Sequence, residues 1–171
     1  MYLYKKIINQ LINEGITIAT AESCTGGLLA YTITKNKDSS KIYKGGYITY
    51  SNELKIRNLN VKKATIKKYG AVSKETATEM VKWLFIKTNT NICISTTGIA
   101  GPGGGSKSKP VGLVYIGIRL NGKIEILKKN FKGSRIEIQK RCVNSIFKYL
   151  SKLIYTNICS FFKRIYHFGF N

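Results

Sequence analysis

The chain has 171 residues, a formal net charge of +21 and eight acidic residues. This length favours one domain with its own hydrophobic core, and lysines interrupt every apolar stretch before it reaches the roughly 18 residues that a membrane-spanning helix needs. The four cysteines are dispersed and follow no secretory leader, which argues against a disulfide-stabilised secreted scaffold. We therefore expect a cytoplasmic protein with no membrane partner.

The high positive charge raises the question of nucleic-acid binding, because basic proteins gain affinity by releasing counterions from phosphates. Of the 29 basic residues only five are Arg, and the lysines are spread from Lys5 to Lys163. A nucleic-acid surface favours arginine forks gathered in a defined stripe. We attribute the charge mainly to a compositional bias and expect no specific nucleic-acid partner, whereas an anionic small molecule remains compatible with it.

The chain opens with an alternation of helical and extended patterns. Apolar residues at helical spacing from Leu3 to Ile12, followed by Gly15, predict an amphipathic helix. The run from Ile16 to Ala19 predicts a buried strand, and Leu28 begins the apolar stripe of a second helix. Residues 22–27 between them are predicted to form a strand-to-helix turn.

Two further helices have a clear starting signal. A predicted strand at 47–50 leads into Ser51, which is suited to cap a short helix that runs to about Arg57. Ser73 has the same place before a helix whose apolar stripe runs from Ala77 to Phe85. Each serine is therefore predicted to be a helix N-cap.

The second half of the chain predicts a hairpin and a final helix. Two β-rich runs, 91–96 and 111–120, flank a glycine-rich loop, and Asn121-Gly122 predicts a tight turn into another strand. Helical spacing returns after Ser134. Strands that alternate with helices predict one α/β domain over residues 1–154, followed by a basic, apolar tail of unknown role at 155–171.

The segment TAESCTGGLLAY, residues 20–31, gathers reactive and flexible groups at the predicted turn. The first N–H groups of a helix lack internal partners, so such a turn can bind an anion or a developing oxyanion. Ser23 is placed there like a nucleophile, and Gly26 and Gly27 would let a substrate approach the backbone. The alternative is structural: Ser23 or Thr25 caps the helix and the glycines turn the chain.

A serine nucleophile needs a base, and the inventory of residues restricts the choice. His167 is the only histidine and Asp38 the only aspartate, so a Ser-His-Asp arrangement and a histidine-rich metal site are both unexpected. A lysine can serve if burial or positive neighbours lower its pKa. Lys55, one turn into the helix after Ser51, is the candidate; the alternative is a solvated surface lysine.

The glycine-rich loop STTGIAGPGGGSKSKP, residues 95–110, is a second candidate for anion binding. Its bare backbone N–H groups could cradle a phosphate, with side-chain help from Thr96, Thr97 and Lys107. It matches neither the mononucleotide P-loop nor the dinucleotide fingerprint. The alternative is a flexible hairpin connection without a binding role.

Taken together, AESCTGG at 21–27, YSNELK at 50–55 and TTGIAGPGGG at 96–105 resemble the CinA carboxy-terminal family, the nicotinamide-nucleotide amidases. The likeness runs from about Leu11 to Leu150 and corresponds to the stand-alone form, without the amino-terminal domain of longer members. It implies a three-layer α/β/α sandwich with a mixed sheet, assembled as a homo-oligomer. It further implies hydrolysis of nicotinamide mononucleotide to nicotinate mononucleotide and ammonia, with no cofactor and no metal.

The resemblance also assigns roles to residues. It implies that Ser23 is the nucleophile and Lys55 its base, acting through an acyl-enzyme. It places a further set around the substrate: Thr25, Gly26, Gly27, Tyr50, Asn52, Thr97, Gly98, Gly101, Gly103, Gly104, Gly105 and Arg135. The family pattern G-D-R, with a second arginine four residues on, has Gln139 at the last position here, and Lys140 or Arg141 could replace that charge.

Three alternatives stay open from the sequence. Cys24 competes with Ser23, because a thiol is the stronger nucleophile; adjacent residues of a tight turn seldom face the same pocket, so we expect only one to react. A nucleotide-binding module that has lost hydrolysis is a second reading, supported by the departure at Gln139. Nucleic-acid binding is a third.

Overall fold

The structure of the protein is a computed structural model that describes residues 2–166, with side chains described over residues 3–153. Its elements in chain order are α1 (Tyr2–Asn13), β1 (Ile18–Glu22), α2 (Leu28–Thr34), a 3-10 turn (Ser39–Lys41), β2 (Tyr43–Ile48), α3 (Asn52–Leu59), α4 (Lys63–Tyr69), α5 (Lys74–Thr88), β3 (Ile92–Gly98), β4 (Leu113–Leu120), β5 (Lys123–Asn130) and α6 (Arg135–Tyr166).

The five strands form one mixed sheet in the order β2-β1-β3-β4-β5. β1 pairs in parallel with both β2 and β3, whereas β4 and β5 add antiparallel pairs. Because the carboxyl ends of parallel strands lie at one edge of a sheet, the segments that follow β1, β2 and β3 meet there. This edge holds the residues that the sequence singled out.

Side chains alternate between two cores, one on each face of the sheet. On β1, Ile18 belongs to the core shared with α1, α2 and α6, while Ala19 and Ala21 belong to the core formed with α3 and α5. Helices thus cover both faces. The predicted three-layer α/β/α sandwich with a mixed sheet, in a single domain, is confirmed.

The cap and turn signals of the sequence are reproduced in the structure. The Ser51 hydroxyl accepts from the Leu54 N–H, the Ser73 hydroxyl accepts from the Thr76 N–H, and Asn121-Gly122 joins β4 to β5 with positive φ at both residues. These features depend on local chemistry alone. Their prediction from sequence is confirmed.

Two strands begin and end elsewhere than predicted. β1 runs from Ile18 to Glu22. The sequence prediction ended too early because Thr20 and Glu22 are polar, although both are buried in the strand.

β2 occupies residues 43–48 at the edge of the sheet, where its two glycines are tolerated. Helix α4 was not predicted from the sequence. At the other end, α6 continues to Tyr166, so part of the predicted tail is helical; His167 lies outside the described residues.

Within the residues that the structure describes, no helix is long and apolar enough to cross a membrane.

Candidate functional site

A cavity of about 260 Å³ lies at the sheet edge where the parallel strands end. The turn after β1, the segment between β2 and α3, the loop after β3 and the first residue of α6 surround it. Among the described residues that line it, two are basic, Lys55 and Arg135, and none is acidic. The cavity therefore suits a ligand that carries negative charge.

Ser23 and Lys55 meet at the bottom of this cavity. Lys55 lies in the first turn of α3, which the Ser51 cap fixes directly after the chain leaves β2. Its Nζ is 3.0 Å from the Ser23 Oγ, although 32 residues separate the two in sequence. Lys55 is 1% exposed and Ser23 is 8% exposed, so their contact is shielded from bulk water.

The lysine is held by carbonyl groups, without a carboxylate partner among the described residues. Its Nζ lies 2.8 Å from the Thr49 carbonyl oxygen and 3.3 Å from that of Tyr50, and no ion pair with it is found in the described part of the chain. Burial lowers the pKa of Lys55 from 10.5 to about 8. In the neutral amine, two N–H groups serve the carbonyls, and the lone pair can accept the serine proton.

The turn that carries Ser23 is arranged differently from expectation. The buried Glu22 carboxylate accepts from the N–H groups of Gly27, Leu29 and Ala30. The start of α2 therefore binds its own carboxylate, and the prediction that these N–H groups face a substrate is wrong. In the described structure, the turn's N–H groups that find no protein acceptor are those of Cys24 and Thr25.

The neighbouring Cys24 also lines the cavity, but its thiol packs into the core. It belongs to the core between the sheet and α6, where it shares a hydrogen bond with Cys142; this bond and burial raise the pKa of the Cys142 thiol well above its usual range. Adjacent side chains of the turn thus point into different surroundings. This geometry favours Ser23 over Cys24 as the residue that meets a ligand.

Arg135 closes the mouth of the cavity. Its guanidinium donates to the Gly101 carbonyl oxygen at 2.7 Å and to the Tyr50 hydroxyl. Both acceptors are neutral, so the charge of Arg135 is available to an anion. Asn52, Thr97, Gly98, Gly103 and Gly104 complete the set of sequence-predicted residues that line the cavity.

Other predicted substrate contacts lie outside this lining. The Thr25 hydroxyl is hydrogen-bonded to that of Thr96 at 2.7 Å in the interior, and Gly26, Gly27 and Gly105 serve the turns behind the cavity wall. Lys107, Lys140 and Arg141 are exposed and also lie outside the lining. The assignment of these residues as substrate contacts stays a prediction.

Sequence reasoning did not assign site roles to Glu22, Thr49 and Val72. The Glu22 carboxylate holds the turn, the Thr49 carbonyl oxygen accepts from Lys55, and Val72 lines the cavity from the segment before α5. The position of Glu22 next to the predicted nucleophile could have indicated its role, whereas Thr49 and Val72 carry no local signal. Gln139 was noticed only as a departure from the family pattern, and its contact with the turn, at the Cys24 carbonyl oxygen, appears only in the structure.

Comparison with known proteins identifies relatives of this chain. The family model of the CinA C-terminal domain matches residues 2–154. A competence-damage inducible protein of Clostridium acetobutylicum is 50% identical over 144 residues, which cover 84% of this chain and 35% of the relative. One from Clostridium botulinum is 49% identical over 150 residues, 88% of this chain and 37% of the relative. The chain thus spans little more than a third of these relatives.

Solved structures share the fold. The competence/damage inducible protein CihA of Agrobacterium tumefaciens has a TM-score of 0.82 and 37% identity, with 91% of this chain and 94% of that chain covered. The competence damage-inducible protein A of Klebsiella pneumoniae has a TM-score of 0.86 and 30% identity, with 90% and 96% covered.

Proposed function

The chain belongs to the CinA C-terminal domain family, and on that premise we propose that it is an amidohydrolase that converts nicotinamide mononucleotide to nicotinate mononucleotide and ammonia. The observation that supports this most is the 3.0 Å contact between the Lys55 amine and the Ser23 hydroxyl. With a pKa of about 8, about a tenth of the Lys55 amine is neutral at pH 7, far more than for an ordinary lysine. It is therefore fit to act as a general base.

In the first half of the proposed reaction, Lys55 takes the proton of the Ser23 hydroxyl as its oxygen attacks the carboxamide carbon. The resulting tetrahedral oxyanion accepts hydrogen bonds from the free N–H groups of the turn. The C–N bond then breaks, Lys55 returns the proton to the departing nitrogen, and ammonia leaves. The acyl group remains on Ser23 as an ester.

In the second half, water occupies the place that ammonia vacated. Lys55 takes a proton from this water as the water oxygen attacks the ester carbon. The ester bond breaks, the Ser23 oxygen regains a proton from Lys55, and the acid product is released. Each proton taken is returned, so the enzyme ends in its starting state.

The charge of the cavity lining is compatible with a nucleotide that carries a phosphate. We propose that Arg135 and the backbone N–H groups of Gly103 and Gly104 bind the phosphate, which the lack of carboxylates among the described lining residues favours. The Tyr50 ring, 57% exposed beside the cavity, can contact the pyridinium through its π face. Asn52, which also lines the cavity, would hydrogen-bond the carboxamide in this proposal.

Ammonia release from nicotinamide mononucleotide by the purified protein tests this function. We expect activity in the wild type and a fall in kcat of at least about 1,000-fold in Ser23→Ala and Lys55→Met. Cys24→Ala is the matched control, because it alters the adjacent side chain, and it should retain kcat within about threefold.

The outcomes separate the alternatives. Loss of activity in Cys24→Ala with retention in Ser23→Ala would transfer the reaction to the thiol. If the wild type binds the nucleotide but releases no ammonia, the protein is a nucleotide-binding module and not an amidase. Assembly as a homo-oligomer, which the family resemblance implies, is part of the same proposal and is tested by sedimentation velocity.

A further inference from the structure

Gln139, in the second turn of α6, reaches the nucleophile turn from outside the cavity. Its Nε2 donates to the carbonyl oxygen of Cys24 at 2.9 Å. Gln139 is half-buried and does not line the cavity, so it does not contact a ligand there. The hydrogen bond joins α6 to the peptide group that links Cys24 and Thr25.

That peptide group is the one that the turn itself leaves unrestrained. The Gly26 N–H donates to the Ser23 carbonyl oxygen at 3.1 Å, which closes a β-turn with Cys24 and Thr25 as its central residues. Type I and type II turns differ in the direction of the central peptide. Thr25 has no positive φ, which a type II turn would require, so the peptide has the type I direction.

In a peptide group, the direction of the C=O bond fixes the direction of the N–H bond. In a planar trans peptide the C=O and N–H bonds point in opposite directions. Because Gln139 draws the Cys24 carbonyl towards α6, the Thr25 N–H points away from α6. This N–H finds no acceptor among the described protein groups. Thr25 is 2% exposed and follows Cys24, which lines the cavity, so a buried donor is left unpaired beside the cavity wall.

Resting on the function proposed above, we propose that Gln139 is a positioning residue, which holds the Cys24–Thr25 peptide so that the Thr25 N–H donates to the tetrahedral oxyanion. Reversal of this peptide would present a carbonyl oxygen to the oxyanion instead of a donor. The hydrogen bond from Gln139 opposes that reversal. Gln139 thus acts on the reaction through the backbone of the turn.

The same helix face also carries the residue at the cavity mouth. Arg135 precedes Gln139 by four residues in α6, so the two side chains project from one face. Arg135 contacts the glycine loop through Gly101, while Gln139 contacts the nucleophile turn. One rigid helical turn therefore sets the distance between the proposed phosphate contact and the proposed oxyanion donor.

The test compares Gln139→Met, which keeps length but cannot donate, with Gln139→Arg, which restores a donor. Gln10→Met in α1 is the matched control, because it removes a glutamine hydrogen bond, to Glu14, from a helix that does not line the cavity. We expect kcat to fall about 10- to 100-fold in Gln139→Met, with KM within about twofold. Gln139→Arg should recover most of kcat, and Gln10→Met should match the wild type.

A second readout makes the inference independent of the natural substrate. A fluorophosphonate probe reacts with an activated serine and develops negative charge on its own oxygen, so the rate of Ser23 labelling, followed by intact mass, should fall in parallel with kcat. Urea unfolding of each variant identifies a purely structural effect.

If kcat and the labelling rate are unchanged in Gln139→Met while the wild type is active, the positioning role of Gln139 is wrong and the proposed amidase function stands. Equal losses in Gln139→Met and Gln139→Arg would also overturn it, since restoring the donor should matter. An inert wild type whose Ser23 is still labelled would overturn the proposed substrate only, and the labelling rates of the variants would still decide the role of Gln139.

Discussion

The turn after β1 and the glycine loop after β3 follow neighbouring parallel strands, yet they are built in opposite ways. Residues 23–27 are held from three sides, by the Glu22 carboxylate, by Gln139 and by the hydroxyl pair of Thr25 and Thr96. In the loop, residues 102–108 are exposed, and side-chain contacts are found only at its two ends, from Arg135 to the Gly101 carbonyl oxygen and from Lys109 to the Tyr69 carbonyl oxygen, among the described residues outside 102–108.

The contrast indicates that the turn serves the chemical step and the loop serves ligand binding. Bond making requires donors held within a few tenths of an ångström, which a buried and cross-linked turn provides. Binding a phosphate tolerates adjustment, which an exposed loop with several glycines provides. We therefore expect changes in the turn to lower kcat and changes in the loop to raise KM.

The Glu22 carboxylate offers the strongest test of the rigid turn. In Glu22→Gln one acceptor oxygen becomes an NH₂ group that faces backbone donors, so we expect the free energy of unfolding to fall by about 2 kcal/mol and kcat to fall about 100-fold. Urea unfolding and ammonia release measure the two effects. Glu79→Gln is the control: its carboxylate accepts from the Lys62 N–H before α4, away from the cavity, and its kcat should be unchanged.

The pH dependence tests whether the turn reacts through a buried amine. Only neutral Lys55 can accept a proton, so kcat should rise about tenfold per pH unit up to a pH near 8 and then level off. Folding should respond as well. Between pH 8 and 10.5 the unfolded state binds the proton that the folded state has released, so stability rises with pH by at most about 3 kcal/mol from this group.

Lys55→Met isolates that contribution from the other lysines. The difference in unfolding free energy between wild type and variant, measured by urea denaturation at pH 8 and pH 10.5, should shift in favour of the wild type as pH rises. An unchanged difference would mean that the amine keeps an ordinary pKa, and the proposed base would be lost.

Arg135 tests the opposite wall of the cavity. Arg135→Gln removes the charge while keeping a donor, so we expect KM for the nucleotide to rise about tenfold with kcat within about threefold. Tyr50→Phe is the companion variant, because it removes the hydroxyl that Arg135 contacts and leaves the charge. A fall in kcat with unchanged KM in Arg135→Gln would contradict the division between turn and loop.

The loop glycines provide the mildest comparison. Gly104 has a φ of +82°, whereas Gly103 has no positive φ, and a Cβ built on Gly103 would meet nothing within 4 Å. Gly104→Ala should strain the loop by about 1 kcal/mol and raise KM about fivefold, and Gly103→Ala should match the wild type. Steady-state kinetics of the two variants measure the difference, and equal KM values would show that backbone shape in the loop is unimportant.

Much of the fold follows from local patterns. The helices with serine caps, the Asn121-Gly122 hairpin and the apolar stripe of α5 were predictable because each depends on residues close in sequence. The bounds of β1 and β2 were not, because strand pairing selected buried polar residues and glycines that no local pattern favours.

For the site as well, some features were predictable from the sequence and others were not. The inventory of residues narrowed the proton acceptor to lysine and drew attention to Ser23 and Lys55, since a chain with one histidine and one aspartate has few other combinations. Folding alone determined that an amine 32 residues away lies 3.0 Å from the serine, that Glu22 occupies the start of α2, and that Gln139 holds the turn. Composition limits which chemistry is available, whereas distances between remote residues arise only when the sheet brings the ends of its strands together.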